Sequence, residues 1–447
     1  MISLARKLRL ADYFSLGFGT MVGVGWLVVM DDWLGRGGPL GAVLGFAIGG
    51  AVLFPIGIVY GNLVRSMPDA AGEIAYTAAV FPRSVSYATG WMMLLAYYIV
   101  CPWEAVAIGR IAGYLFPALN SIELYRVAGR PVYLPHLLIG LVLTAFLTVL
   151  NYRGIRLSAT FQNWTTFVVI ALTICFVGAG ATRGSAVNFQ PLFNGSALVS
   201  VFLVLQIVPY FMTGFESIGK ASEEASQEFE PRQFMVAILL AIVVGATFYA
   251  TVIAAVAYVA PWQSIVHERF ATAVAFERAM GSRWIVRLIM ATALLSLLKV
   301  FNGNLVAASR LLFALGRRGL ADTRLGKVHP ANHTPYAAVV CIGITTALLM
   351  FGGESLLVPI TEVGSLAAAL GWMASCGSYL RMRPSMLGRA AAATGLLVTA
   401  LMVLMKVLPQ APGHFSAYEW TASLAWVSLG VLLRRRNGEV AQVGESS

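Results

Sequence analysis

The sequence predicts an all-α membrane protein with twelve transmembrane helices. Its first ten helices form a five-plus-five inverted repeat with helices 1 and 6 broken, and two extra helices follow at the C-terminus. Three observations lead there. Of 447 residues, 58% are hydrophobic and only 11% are charged, where a soluble chain carries about 25% charged residues. Apolar runs long enough to cross roughly 30 Å of hydrocarbon recur from end to end. Two of those runs, five spans apart, are interrupted near their middles by glycine, proline and polar residues.

The predicted spans are 12–34, 40–64, 85–118, 133–151, 160–181, 197–220, 234–260, 285–313, 335–352, 356–380, 386–406 and 417–433. Span 3 is long enough to run past the membrane. The organisation read from them is a cytoplasmic N-terminus (1–11), a first five-helix repeat (12–181), a second, inverted repeat (197–380), helices 11 and 12 (386–433) and a cytoplasmic tail (434–447). Arg6, Lys7 and Arg9 resemble the start of a signal peptide. The apolar segment after them is too long for one, and eleven more spans follow.

The net charge of +11 would suggest nucleic acid in a soluble chain. Here its distribution explains it. With the N-terminus in the cytoplasm, nineteen Lys and Arg fall on the cytoplasmic side and nine on the outer side. That bias follows the positive-inside rule, with both termini cytoplasmic. The expected location is a bacterial inner membrane. Cys101, Cys175, Cys341 and Cys376 all lie in apolar runs without a Cys-x-x-Cys pair. Free, buried thiols are expected.

The interruption in span 1 reads "FGTMVGVGWLVVMDD" (18–32), and that in span 6 reads "QIVPYFMTGFESIGKASEE". Each interior glycine costs a helix about 1 kcal/mol relative to alanine. Irregular backbone at membrane depth survives only where it is buried in protein or lines a cavity. Unwinding exposes N–H groups at the start of the outer half-helix, which attract an anion. It exposes carbonyls at the end of the inner half, which attract a cation. A zwitterion satisfies both, and Gly23 and Gly25 leave room for its approach. Helix packing is the competing use of such glycines, since Gly19 and Gly23 form a GxxxG pair. An odd-numbered repeat of five spans must be inserted in opposite senses, so spans 1–5 and 6–10 form the inverted pair.

These residues resemble those of an amino acid–polyamine–organocation superfamily permease. "GTMVGVGWLV" resembles its first-span glycine motif, and "MPDAAGEIAYTAAVFP" (67–82) the loop after its second span. "TGFESIGKASEE" (213–224) resembles its sixth-span signature. "FNGNLVAASRLLFALGRRG" with "HPANHTPY" resembles its eighth span and the following loop. Ala71 departs from the usual glycine. The resemblance implies the inverted-repeat core, alternating access and secondary transport. In relatives, backbone amides at positions matching Gly23, Val24 and Gly25 hold the substrate carboxylate. Carbonyls matching Met21, Tyr210 and Thr213 hold its ammonium, and an aromatic matching Tyr210 commonly serves as an inner gate. The substrate side chain then points toward spans 3, 8 and 10.

Charged residues inside the membrane are costly and mark functional positions. Lys299 lies near mid-membrane in span 8, where sodium-coupled members of the fold carry hydroxyls. Its ammonium can take the place of a sodium ion against span 1 carbonyls, or carry a proton. A fixed pair with Glu104 is the structural alternative. Glu104 either lines the pocket or pairs with Lys299 or Arg110. Glu216 either stabilises the break in span 6, with Lys220 as its i+4 partner, or contacts the substrate directly. Asp31 and Asp32 form either a solvated helix end or a cation-attracting outer vestibule, to which Glu362 adds. Arg310 snorkels or pairs with an inner loop, and Asp12 caps the first helix.

The expected function is secondary transport of an amino acid by alternating access, sodium-independent, and proton-coupled or exchanging. A cationic amine or polyamine is the alternative substrate. A membrane enzyme would need a nucleophile with a base, or a metal cluster. The five histidines fall at span ends or in loops without metal-ligand spacing. No cofactor, metal or nucleic acid is called for. The partners implied are the small substrate and the lipid bilayer.

Overall fold

A computed structural model describes residues 4–268, 270–411 and 414–434, without the side chains of 354–361. Most of the predicted cytoplasmic tail (434–447) lies outside the described residues.

The chain opens with α1 (Leu10–Met21), whose start is held by a reciprocal cap. Asp12 accepts a 2.7 Å hydrogen bond from the Arg9 N–H and a 2.6 Å bond from Asn163. After a gap come α2 (Gly25–Val28) and α3 (Met30–Ser66). Helix α3 bends at Gly38, where φ is +63° and Pro39 follows. Left-handed backbone suits glycine and proline supplies no N–H, so the chain turns there from the end of span 1 into span 2. Next are α4 (Glu73–Ala78), α5 (Arg83–Tyr98) and α6 (Val100–Leu115). The α5–α6 junction falls where Pro102 cannot donate to the Tyr98 carbonyl, a sufficient cause for a kink.

An unpredicted antiparallel hairpin joins α6 to the next span. Its strands are β1 (Glu123–Val127) and β2 (Arg130–Tyr133). Ala128 (φ 46°) and Gly129 (φ 79°) form the two-residue turn, the left-handed pair that suits strand twist. Then follow α7 (Leu134–Arg153), α8 (Ile155–Ala181), α9 (Ala197–Leu205), α10 (Val208–Met212) and α11 (Ser217–Lys220). The remainder comprises α12 (Arg232–Val259), α13 (Ala271–Met280), α14 (Arg283–Arg317), α15 (Tyr336–Leu349), α16 (Gly353–Arg381), α17 (Met386–Val407) and α18 (Ala417–Leu433).

Helices overlie every predicted apolar run. Among the described residues seven helical stretches, α5 with α6 counted as one, are long and apolar enough to cross a bilayer. The predicted first and sixth runs are divided into short pieces instead. Helix α1 sits at the centre, packed on α8, α12 and α14. Helix α14 is almost wholly buried from Ser296 to Gly316. Helices α7, α8, α17 and α18 turn leucine, valine and phenylalanine outward (Val142, Phe146, Leu397, Leu401, Leu424 and Leu432 among them), an apolar surface suited to lipid tails.

All four cysteines are free, but the expectation that all are buried is corrected. Cys101 and Cys376 are buried, Cys341 is half-buried and Cys175 is exposed. An apolar run does not tell which face of its helix looks outward.

Candidate substrate site

Both interruptions are breaks in the helix. Helix α1 stops at Met21, and Val22 takes extended angles (φ −92°, ψ 96°) before α2 resumes at Gly25. Three of the carbonyls freed at the end of α1 are occupied. Thr20 O accepts from the Asn304 amide at 3.2 Å, Met21 O from the Tyr249 hydroxyl at 3.1 Å, and Val22 O from the Lys299 ammonium. Beyond the break, the N–H groups of Val24 and Gly25 meet no acceptor among the described residues. They carry the positive end of the next helical turn into open space.

In the sixth run, α10 ends at Met212 and Thr213 turns extended (ψ 132°). Gly214 follows at φ +142°. The Thr213 hydroxyl donates to Pro209 O at 2.6 Å, and the Gly214 N–H donates to Glu216 Oε2 at 3.1 Å. The two breaks touch. A Cβ on Gly214 would lie 2.6 Å from Met21 N and 2.8 Å from Thr20 C.

A cavity of about 1490 Å³ reaches from this contact to one end of the bundle. Its wall includes Met21, Gly23, Val24, Gly25, Glu104, Tyr210 and Thr213, and further out Asp31 and Asp32. Lys299 and Glu216 are not in that wall. Lys299 lies behind the first break, its ammonium 5.1 Å from the Phe18 ring centre. Glu216 is buried, with Oε1 unpartnered among the described residues.

Glu104 is buried beside the first break, with Oε1 3.1 Å from where a Gly23 Cβ would stand. Its Oε2 has no hydrogen-bond partner among the described residues. The alternative of a fixed Glu104–Lys299 pair is not adopted: among the described residues no cation lies within 4.0 Å of this carboxylate, because Lys299 is drawn to Val22 O instead. The Arg110 charge acts on Asp31 and His136.

The expected Glu216–Lys220 pair is also corrected. The Lys220 ammonium reaches the Glu216 carbonyl oxygen (3.0 Å), and its carboxylate partner is Glu73 on α4 (2.5 Å). The Tyr60 hydroxyl donates to the same Glu73 oxygen at 2.8 Å, and Ser375 donates to Tyr60 at 3.0 Å. Helical spacing favoured the i+4 acid, but an acid from another helix answers the buried charge better. Along the cavity wall, Asp32 pairs with Arg36 at 2.7 Å and Glu362 pairs with Lys406, so both carboxylates are partly neutralised.

The bundle end opposite the cavity mouth is sealed by ion pairs. Arg310 forms a buried, two-pronged pair with Glu224 (3.1 and 3.2 Å), so pairing rather than snorkelling describes it. Arg317 bonds Glu223 and Asp69, and Arg318 bonds Asp69 at 2.6 Å. The N-terminal segment joins this seal. The N–H groups of Lys7 and Leu8 donate to Glu224 O at 2.8 and 2.9 Å, and Ser226 donates back to Leu8.

Sequence reasoning missed Tyr249, Asn304, Phe211 and Glu73 as parts of this arrangement. Glu73 and Asn304 stand within the quoted motifs, so a signal existed without a role attached. Tyr249 and Phe211 look like ordinary span aromatics, and only packing brings them to the break.

A family model described as amino acid permease matches residues 8–432. The chain is 26% identical over 372 residues to the branched-chain amino acid permease BcaP of Bacillus subtilis, covering 81% of this chain and 77% of that one. It is 26% identical over 376 residues to a methylthioribose transporter of the same organism (82% and 79% covered). It is 23% identical over 403 residues to the amino-acid permease RocE, also of B. subtilis (85% and 81% covered). With the apolar helices, these matches make the protein an integral membrane transporter and not an enzyme. The chain belongs to the amino acid permease family.

Proposed function

We propose that this permease carries an amino acid across a bacterial inner membrane by alternating access, without sodium, coupled to a proton or to exchange. The observation that carries the reading is the Lys299 ammonium on Val22 O, inside the first break and outside the cavity wall. A fixed ammonium there supplies the positive charge that a sodium ion would otherwise bring to the freed carbonyls. The open N–H groups of Val24 and Gly25 suit the substrate carboxylate. The carbonyls of Met21, Tyr210 and Thr213 suit its ammonium, with Met21 O already shared with Tyr249. The architecture behind this reading is twelve spans, ten of them in two inverted repeats. With both termini cytoplasmic, the cavity faces outward and the Arg310–Glu224 end is the closed inner side.

The Glu104 carboxylate favours a second reading, in which the cargo is a cationic amine or polyamine. A carboxylate beside Gly23 repels a substrate carboxylate unless it is protonated, and attracts an extra ammonium. The relatives carry different cargoes by their names, so likeness alone does not choose.

Proteoliposome uptake tests both readings. Screened amino acids should enter equally well when external sodium is replaced by potassium, and an imposed proton gradient or internal amino acid should accelerate entry. A strict sodium requirement would overturn the Lys299 role. Glu104→Gln should leave a neutral amino acid carrier most of its binding and should abolish binding in an amine carrier.

A further inference from the structure

We propose that the connection between α16 and α17 is a binding site for the head group of an anionic phospholipid. No Asp or Glu occurs between Glu362 and Glu419, whereas Arg381, Arg383 and Arg389 fall within nine residues of one another. All three are exposed. Arg381 is committed to the protein, donating to Val80 O at 3.2 Å and covering the Phe81 ring at 4.5 Å. The guanidinium groups of Arg383 and Arg389 have no acceptor among the described residues. Arg65, exposed at the end of α3, adds its charge beside Tyr379 near the end of α16.

Between the two arginines, Met386 and Leu387 are 91% and 76% exposed. Bare aliphatic side chains beside unpaired cations are unfavourable in water. They suit the level of a membrane where phosphates meet acyl chains. The phosphodiester takes the guanidinium forks, and Met386 and Leu387 lie among the first methylenes. Buried Gly388, tight against Tyr379 and Pro384, anchors the connection to the helix bundle. This site is independent of the substrate reading.

Native mass spectrometry of the purified full-length protein tests it by titration with phosphatidylglycerol and phosphatidylcholine. Phosphatidylglycerol should bind about thirtyfold more tightly, from about 1 kcal/mol for each of the two guanidinium groups at an anionic surface. Arg383→Gln with Arg389→Gln should bring the two lipids within about twofold, while Met386→Ser with Leu387→Ser should weaken both. Arg153→Gln with Arg156→Gln, on the α7–α8 connection, should leave the preference intact. The proposal fails if the Arg383/Arg389 variant keeps the preference, or if the Arg153/Arg156 variant loses it equally. It also fails if glycerol 3-phosphate displaces phosphatidylglycerol at equal concentration, which would mark a site for a free phosphate.

Discussion

Gly214 lies against the main chain of Met21: a Cβ there would stand 2.6 Å from the Met21 nitrogen. The two breaks are therefore one feature, each shaped by the other. Gly214 also holds φ +142°, a conformation costing other residues about 1–3 kcal/mol. Backbone cannot rotate aside as a side chain can. Gly214→Ala should reduce proteoliposome uptake to less than about a tenth and lower the melting temperature. Gly178→Ala, on α8, is the control, because nothing lies within 4 Å of its Cβ position; it should leave both measurements unchanged.

Gly25 presents a softer case. Its added Cβ would meet the Phe211 ring edge at 2.5 Å, and a side chain can move. Gly25→Ala should retain folding and weaken substrate binding about tenfold. Phe211→Leu in the same chain should recover part of that loss. A double-mutant cycle in a substrate thermal-shift assay measures the coupling, and additive effects would contradict the contact.

The Lys220–Glu73 pair is fully buried, with both side chains 0% exposed. Removing one member leaves an uncompensated charge, at a cost of about 3–5 kcal/mol. Lys220→Met and Glu73→Gln should each destabilise the protein strongly. The double variant should be less damaged than the sum of the two, because no lone charge remains. Thermal melting in detergent reads this directly.

Arg310 holds Glu224 through two guanidinium nitrogens. Lysine keeps the charge but loses the fork. Arg310→Lys should cost about 1–3 kcal/mol and should loosen the seal at that end of the bundle. Faster hydrogen exchange at residues 4–9 and 222–226 is the expected signature, since these segments bond directly to one another.

The apolar runs and both breaks were legible because each is written locally. A run of about twenty apolar residues can cross hydrocarbon only as helix, and the clustered weak helix formers at Gly23, Gly25, Pro209 and Gly214 mark where it fails. The capping role of Asp12 was local too. The β1–β2 hairpin went unread, although Ala128-Gly129 is a two-residue turn candidate. It lies in a short connection where helix periodicity says nothing.

Charge partnership was the least legible part. Lys220 has an acid four residues before it, yet the structure gives it Glu73, 147 positions away. Lys299 has a buried glutamate as a candidate partner, yet it bonds a backbone carbonyl that exists as a free acceptor only because α1 stops one residue earlier. The sequence alone determined that this is a membrane transporter with two unwound segments, because composition and helix propensity act over short stretches. Only the tertiary structure decided which groups neutralise those segments, because a charge removed from water takes the nearest competent partner in space, whatever its distance along the chain.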